Sequence, residues 1–183
     1  MTLKEIMEAT EITAKQMEEA KSLVRKLFKN SDGDPFILTD GQAVIFILIS
    51  TQKFPRIHIE TPTRYGKSDV ISMGVLTDVT SHVGKWSIVA QKKEKASIIM
   101  GYAIGHIFDN AGIRRKFIIE KHENEEEIRR YRKKDRINFN LGGGRLGELF
   151  ISTARDALGF GAPKVVEDES GLVPTKEHGL VMR

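Results

Sequence analysis

Arg56-Ile57-His58-Ile59-Glu60 runs directly into Thr61-Pro62-Thr63-Arg64-Tyr65-Gly66-Lys67-Ser68. The first five residues alternate and are rich in β-branched side chains, which predicts a strand. Apolar residues then recur at helical spacing, at Val70, Ile71, Val75 and Leu76, which predicts a helix. A glycine-containing loop between a strand and a helix favours an α/β fold with a phosphate site where the helix begins.

The loop carries the residue types that a triphosphate site needs. Backbone N–H groups at the start of a helix converge on phosphate oxygens. Lys67 is predicted to reach the β- and γ-phosphates of ATP, and the Ser68 hydroxyl to bind Mg²⁺. The full phosphate-loop pattern has glycine five residues before Gly66, where this chain has Thr61. The predicted ATP-binding residues of the loop are Thr61, Pro62, Thr63, Arg64, Tyr65, Gly66, Lys67 and Ser68.

A pair of acidic residues follows about 100 residues later in the chain. Lys164–Glu167 contains a β-branched run that predicts a strand, and Asp168 and Glu169 come directly after it. Such a pair is often a solvated turn, but after a phosphate loop it suits nucleotide hydrolysis. Asp168 is predicted to hold Mg²⁺, and Glu169 to polarise the attacking water as a catalytic residue.

Gln42 is the third candidate, about 25 residues before Lys67. Its carboxamide offers a donor and an acceptor, which match the N6 and N7 edge of adenine. We therefore predict that Gln42 contacts the base and favours ATP over GTP.

Periodicity along the rest of the chain predicts strands that alternate with helices. This order favours a mostly parallel β-sheet with helices on both faces. Residues 1–35 are predicted to form an N-terminal helical segment, and residues 36–183 the ATP-binding domain. The segment is predicted to be helical over residues 3–29, with a break between Thr10 and Thr13. It packs on its own domain in the interpretation that we favour, and on a neighbouring subunit in the alternative.

The other predicted elements follow from the same patterns. Two alternating runs flank a glycine-rich loop and predict a β-hairpin. The predicted helices cover 41–50 and 93–108, the predicted strands 86–90 and 117–119, and the hairpin runs 136–140 and 148–152.

The segment Arg129–Arg136 contains six positive charges and one negative. It could follow a DNA backbone by displacing counterions, or it could be a helix whose charges pair with nearby glutamates three and four residues apart. The chain as a whole carries a formal net charge of +4, which is weak evidence for a phosphate-bearing partner. Zero cysteines exclude disulfides, and no apolar run is long enough to span a membrane.

Four stretches together resemble the ATPase domain of large terminase subunits of tailed bacteriophages. They are Phe36–Gln42, Thr61–Ser68, Trp86–Gln91 and Gly159-Phe160-Gly161-Ala162 leading to Asp168-Glu169. The resemblance covers roughly residues 36–183 and implies a RecA-like P-loop NTPase fold with a β-hairpin insertion. It implies an ATPase that drives double-stranded DNA into a procapsid in the cytoplasm of the infected host cell.

The resemblance also implies partners and a further catalytic residue. The expected partners are viral DNA, the portal protein, the small terminase subunit and other copies of the chain in a ring. A basic residue in the loop of these proteins is thought to trigger hydrolysis, and the candidate is Arg64, one place later than in many family members. Large terminases continue into a nuclease domain, so the end at Arg183 implies a fragment from which no nuclease activity is expected.

Two other functions fit the same residues. The stretch Thr61-Pro62-Thr63 before Gly66-Lys67-Ser68 also resembles the first motif of helicase-like translocases. The acidic motif of those enzymes continues with Ala-His or Ala-Asp, whereas this chain has Ser170-Gly171. The non-enzymatic alternative is an assembly module that binds ATP and barely hydrolyses it.

Overall fold

A computed structural model describes residues 2–54, 59, 65–90, 92–153 and 164–167 of the chain. The chain divides into two compact units, Met1–Asp78 and Val79–Arg183. Of the predicted strand Arg56–Glu60, only Ile59 lies among the described residues, and the Gly159–Ala162 stretch lies outside them.

The described residues of the first unit are mainly helical. Its elements are α1 (Leu3–Thr10), α2 (Ala14–Leu27), α3 (Asp40–Thr51) and the start of α4 (Lys67–Val79). The predicted break in the N-terminal segment is confirmed. Glu11 ends α1 in the left-handed conformation, with φ of +50°, and Thr13 begins α2 in a capping box with Gln16.

The core of this unit is α3. Every residue from Ala43 to Ile49 is buried, which confirms the predicted apolar helix. Both α1 and α2 pack on α3, so the N-terminal helices lie against their own chain. A Cβ atom at Gly74 of α4 would lie 2.9 Å from Ile49 Cγ2, so α4 approaches α3 closely at that point. The predicted domain boundary at residue 35 stays a prediction.

The second unit is α/β and contains a five-stranded sheet. Its strands are β1 (Gly84–Ala90), β2 (Phe117–Ile118), β3 (Arg136–Asn140), β4 (Leu146–Thr153) and β5 (Lys164–Glu167), in the spatial order β2-β3-β4-β1-β5. Its helices are α5 (Lys93–Asp109), α6 (Ala111–Lys116) and α7 (Glu125–Tyr131). The α/β class is therefore as predicted, and α6 is a helix that periodicity missed.

The sheet is mixed rather than mostly parallel. β1 pairs in parallel with β4 on one side and with β5 on the other. The pairs β2–β3 and β3–β4 are antiparallel. The predicted hairpin is confirmed, but β4 hydrogen-bonds to both β3 and β1 and so lies inside the main sheet. The sheet therefore gains antiparallel pairs that the alternation of strands and helices did not predict.

Helix α5 packs on the two central strands, β1 and β4. Ser87 of β1 and Ser152 of β4 are buried and place their hydroxyl oxygens 2.7 Å apart, so each satisfies the other. Trp86 is 5 % exposed, as expected for a residue near the start of a buried strand.

The glycine-rich loop between β3 and β4 is a tight turn. Gly142, Gly143 and Gly144 all have positive φ, at 83°, 60° and 74°. The Leu141 N–H donates to the Arg145 carbonyl, and the Gly142 N–H donates to Asn140 Oδ1. These bonds close the loop on itself as the tip of the predicted hairpin.

Candidate nucleotide-binding site

The described part of the predicted phosphate loop is its second half, Tyr65–Ser68. Gly66 has φ of +79°, a conformation that favours glycine, and α4 begins at the next residue, Lys67. The Val70 N–H donates to the Gly66 carbonyl over 3.1 Å, which is the first turn of the helix. The predicted junction between loop and helix is therefore confirmed at this position, while Thr61, Pro62, Thr63 and Arg64 lie outside the described residues.

The first turn of α4 is partly open to solvent. Gly66 is exposed, Lys67 and Ser68 are half-buried, and Val70 is fully buried. The N–H groups at the start of a helix have no partner within the helix and carry its positive dipole end. This turn therefore contains the kinds of group, backbone N–H donors and a lysine, that bind phosphate in proteins.

Gln42 lies against the loop, and its side-chain amide makes two hydrogen bonds. Its Nε2 donates to the Tyr65 carbonyl over 2.9 Å, and its Oε1 accepts from the Thr39 N–H over 3.0 Å. A carboxamide has two donor hydrogens and two acceptor lone pairs, so one of each is left for a base. The predicted contact with adenine is compatible with this geometry and stays a prediction.

Gln42 also has a structural role that the sequence reading missed. Thr39 is the N-cap of α3, and its hydroxyl accepts from the Gln42 N–H over 3.3 Å. Together with the bond from the Thr39 N–H to Gln42 Oε1, this is a capping box. The spacing Thr39-x-x-Gln42 is the sequence signal that could have found it.

Tyr65 is attached to the start of α3 at both of its ends. Its hydroxyl lies 3.3 Å from the Thr39 hydroxyl, and its carbonyl accepts from Gln42. Gly41 lies under the phenol, because a Cβ atom at Gly41 would come within 3.0 Å of the Tyr65 hydroxyl oxygen. Real Cβ atoms essentially never approach that closely, so a larger residue at position 41 would make the Tyr65 ring shift.

Asp40 adds a charge at the same end of α3. Its Oδ1 lies 2.7 Å from the Lys21 Nζ of α2, and Lys21 also contacts Glu18. The hydrogen bonds that Lys21 donates to Asp40 and to Glu18 raise the pKa of Lys21 above its usual value. The pair joins α2 to the beginning of α3, next to Gly41.

The predicted metal and water-polarising residues, Asp168 and Glu169, lie outside the described residues. β5 ends at Glu167, directly before them, and pairs in parallel with β1. Among the residues that the structure describes, no group of three or more His, Asp or Glu side chains is placed to hold a metal ion.

The basic segment Arg129–Arg136 spans the end of α7 and the beginning of β3. Arg132 ends the helix with φ of +50°. Lys134 Nζ lies 2.5 Å from Glu123 Oε1, and Arg136 Nε lies 3.0 Å from Glu148 Oε1 of β4. Lys134 and Arg136 therefore pair with glutamates elsewhere in the second unit. The sequence had suggested pairs within one helix, between residues three and four positions apart.

Five cations of this segment are exposed: Arg129, Arg130, Arg132, Lys133 and Arg136. The groove beside the segment is of mixed charge, since Glu94, Glu120 and Glu123 line it together with Lys133 and Arg136. The exposed cations, rather than the groove, are therefore the candidates for contact with DNA phosphates.

The structure thus brings together Gln42, Tyr65 and Gly66 in the first unit, directly before Lys67. In the described ranges 2–54, 65–90 and 92–153, no helix combines the length and apolar character needed to cross a membrane. Comparisons of the chain with protein-family models, with curated proteins and with solved structures found no match.

Proposed function

We propose that the chain is the ATP-binding and ATP-hydrolysing motor domain of a viral terminase large subunit, which drives double-stranded DNA into a procapsid. The observation that supports this best is the turn at Gly66, which opens α4 at Lys67 and is tied to Gln42. A positive-φ glycine directly before a lysine at the start of a helix is the local geometry of a phosphate loop.

In this proposal the loop binds the triphosphate. The N–H groups of Gly66, Lys67 and Ser68 point their dipoles at the phosphates, and the Lys67 ammonium neutralises the β- and γ-phosphate oxygens. The preceding residues, Thr61–Arg64, complete the loop in the same role.

The residues proposed for magnesium fit the chemistry of the ion. Mg²⁺ prefers oxygen ligands, which the Ser68 hydroxyl at the start of α4 and the Asp168 carboxylate would supply. When bound, the ion neutralises the charge on the phosphate oxygens.

Two side chains are proposed to act on the reacting groups. Glu169 orients the attacking water and accepts its proton, and Arg64 stabilises the negative charge that develops on the phosphoryl oxygens. Gln42 contacts adenine with the donor and acceptor that the capping box and the Tyr65 carbonyl leave unused, which favours ATP over GTP.

The wider assembly follows from the resemblance. The chain is proposed to adopt a P-loop NTPase fold and to work as a homo-oligomeric ring around viral DNA. Its partners are the portal protein and the small terminase subunit, in the cytoplasm of the infected cell. The three neighbouring parallel strands of the mixed sheet, β4-β1-β5, are compatible with that fold.

Phosphate release from ATP tests the proposal. The wild-type chain is expected to release phosphate, and Glu169→Gln to lose release by about 100-fold or more while it keeps ATP binding. Lys15→Ala, which removes a lysine whose side chain is 84 % exposed on α2, should release phosphate like the wild type.

The alternatives give different results in the same assay. ATP binding without release in both the wild type and Glu169→Gln would favour the assembly module. A rate stimulated by double-stranded DNA favours the packaging motor, and one stimulated by single strands alone would favour the helicase-like translocase.

A further inference from the structure

Tyr65 is held in a closed circuit of contacts in the first unit. The circuit runs from the Tyr65 hydroxyl to Thr39, through the capping box to Gln42, and from Gln42 Nε2 back to the Tyr65 carbonyl. Gly41 lies beneath the phenol, because the Tyr65 hydroxyl oxygen occupies the space that a Cβ atom at Gly41 would need. We call these four residues, Thr39, Gly41, Gln42 and Tyr65, the tyrosine clasp.

The clasp ends at the turn that opens α4. Gly66 follows Tyr65 with φ of +79°, and a Cβ atom at Gly66 would lie 3.2 Å from Gln42 Nε2. The amide that binds the Tyr65 carbonyl therefore also packs against Gly66. Fixing both of these groups fixes the direction in which the peptide N–H groups of Gly66 and Lys67 point.

We propose that Tyr65 is a positioning residue, which the clasp uses to hold the start of α4 in a phosphate-binding conformation before any ligand arrives. The inference rests on the proposed function, and it assigns to Tyr65 and Gly41 a role that acts through the backbone. A loop that is already ordered loses less conformational entropy when it binds, so its affinity for phosphate is higher.

Inorganic tripolyphosphate, a ligand that lacks a base, distinguishes the positioning role of Tyr65 from recognition of adenine. The clasp acts on the phosphate end of the site, so its loss lowers the affinity for ATP and for inorganic tripolyphosphate by the same factor. Loss of a contact with adenine lowers the affinity for ATP and leaves that for tripolyphosphate unchanged.

The experiment measures the affinity of the full chain for both ligands by calorimetry. Gly41→Ala drives a methyl group into the Tyr65 hydroxyl, and it is expected to weaken both affinities by about tenfold or more. Alanine favours a helix more than glycine does, so helix propensity does not predict this loss. Gly101→Ala, in α5, is the matched control, because its Cβ atom would have no neighbour closer than 3.7 Å.

The double variant Gly41→Ala/Tyr65→Phe provides the most specific test. The ring carbon that bears the hydroxyl lies 3.4 Å from the Cβ position, so removal of the hydroxyl oxygen removes the clash. We expect Tyr65→Phe alone to lose about two- to fivefold through one lost hydrogen bond. The double variant should return to the level of Tyr65→Phe, a rescue that a general loss of stability would not give.

The outcomes separate the clasp from the proposed function. A wild type that binds neither ligand overturns both. A wild type that binds both ligands, with Gly41→Ala binding equally well, overturns the clasp alone. If Gly41→Ala does not fold, Tyr65→Ala removes the ring without a clash, and an unchanged affinity for tripolyphosphate in that variant would equally overturn the clasp.

Discussion

At Gly147, the absence of a side chain matters because of space rather than backbone conformation. A Cβ atom there would lie closer than 3.0 Å to the carbonyl oxygen of Val79, a backbone atom that cannot rotate away. Gly147 lies in β4, paired with Gly84 of β1 and Phe139 of β3, so the strand itself is held from both sides.

We therefore expect Gly147→Ala to destabilise the chain by about 1–3 kcal/mol or more, as overpacking does. Urea unfolding measures this loss directly. Gly101→Ala has room for its methyl group and should be neutral or stabilising by up to about 1 kcal/mol. Equal stabilities for the wild type and Gly147→Ala would show that β4 and Val79 can separate at little cost.

Gln42 joins helix capping to the loop, and Gln16 provides a comparison within the same chain. Both glutamines complete a capping box with a threonine, Gln16 at α2 and Gln42 at α3. Only Gln42 also binds the Tyr65 carbonyl. Gln16→Ala and Gln42→Ala should therefore each cost about 0.3–1.5 kcal/mol in urea unfolding.

Only Gln42→Ala should also weaken ATP binding and reduce the preference for ATP over GTP. Calorimetry with both nucleotides measures this difference. An unchanged preference in Gln42→Ala would remove the base-contacting role, and a loss of affinity in Gln16→Ala would show that helix capping alone accounts for the effect.

Among the secondary-structure elements, α7 and the residues beside it are connected to neighbouring segments by the ion pairs of two glutamates, Glu123 and Glu125. Arg114 of α6 binds Glu125, with Arg114 Nε 2.8 Å from Glu125 Oε1, and this hydrogen bond lowers the pKa of Glu125. Burial of Glu123 would raise its pKa, but the hydrogen bond from Lys134 and the Glu120 backbone N–H outweigh burial and lower it.

These two carboxylates predict how stability depends on pH. Their usual pKa is 4.5, and their pKa values in the folded chain lie below it. At pH values between the folded and the usual pKa, the unfolded chain therefore binds more protons than the folded chain does. Their contribution is complete above pH 4.5 and is lost as the pH falls through the lowered values. Unfolding free energies measured from pH 6 to pH 3 should fall less steeply in Glu123→Gln/Glu125→Gln than in the wild type.

Glu126→Gln/Glu127→Gln, in the first turn of α7, removes the same number of charges and controls for the change in net charge. An equal fall in stability for the wild type and Glu123→Gln/Glu125→Gln would show that neither pair is formed in solution.

Periodicity predicted the elements whose pattern is local. The apolar run of α3, the alternation of β1 and the glycine-separated hairpin were all predicted within a few residues of their observed bounds. The pairing of β4 with β1 was not, because Gly84 and Gly147 meet across more than 60 residues and no local pattern specifies that partner. The mixed sheet follows from this pairing.

The candidate site, too, was predicted from the sequence only where its features are local. The turn at Gly66 and the start of α4 followed from the residues themselves, since glycine, lysine and serine at a helix start have a local physical reason. The contact of Tyr65 with Gly41 did not, because the two residues are 24 positions apart and neither is unusual alone. Asp168 and Glu169 stay predictions.

For the whole molecule, the proposed motor must bind DNA through phosphate contacts. Three of the exposed cations of Arg129–Arg136, namely Arg129, Arg130 and Lys133, are the candidates, and replacing all three with alanine should weaken binding to double-stranded DNA of any sequence. Each phosphate contact contributes about 0.9 to the slope of log affinity against log salt, so the slope should become shallower by about 2–3.

The matched control removes three exposed cations from the N-terminal helices, Lys4, Lys15 and Arg25. Fluorescence anisotropy at several salt concentrations measures both variants. An equal loss of affinity in the two would mean that only net charge matters, and no loss in either would remove this segment from the DNA interface.

The central proposal is that Lys67 binds the triphosphate of ATP and Asp168 its magnesium ion, and ATP binding with and without Mg²⁺ tests it most directly. We expect Lys67→Ala to weaken binding by about 10- to 100-fold in either condition, since a hydrogen bond to a charged group contributes about 1.5–3 kcal/mol. Asp168→Asn should weaken binding only when Mg²⁺ is present. Wild-type affinity in both variants, or no ATP binding by the wild type, would contradict the proposal.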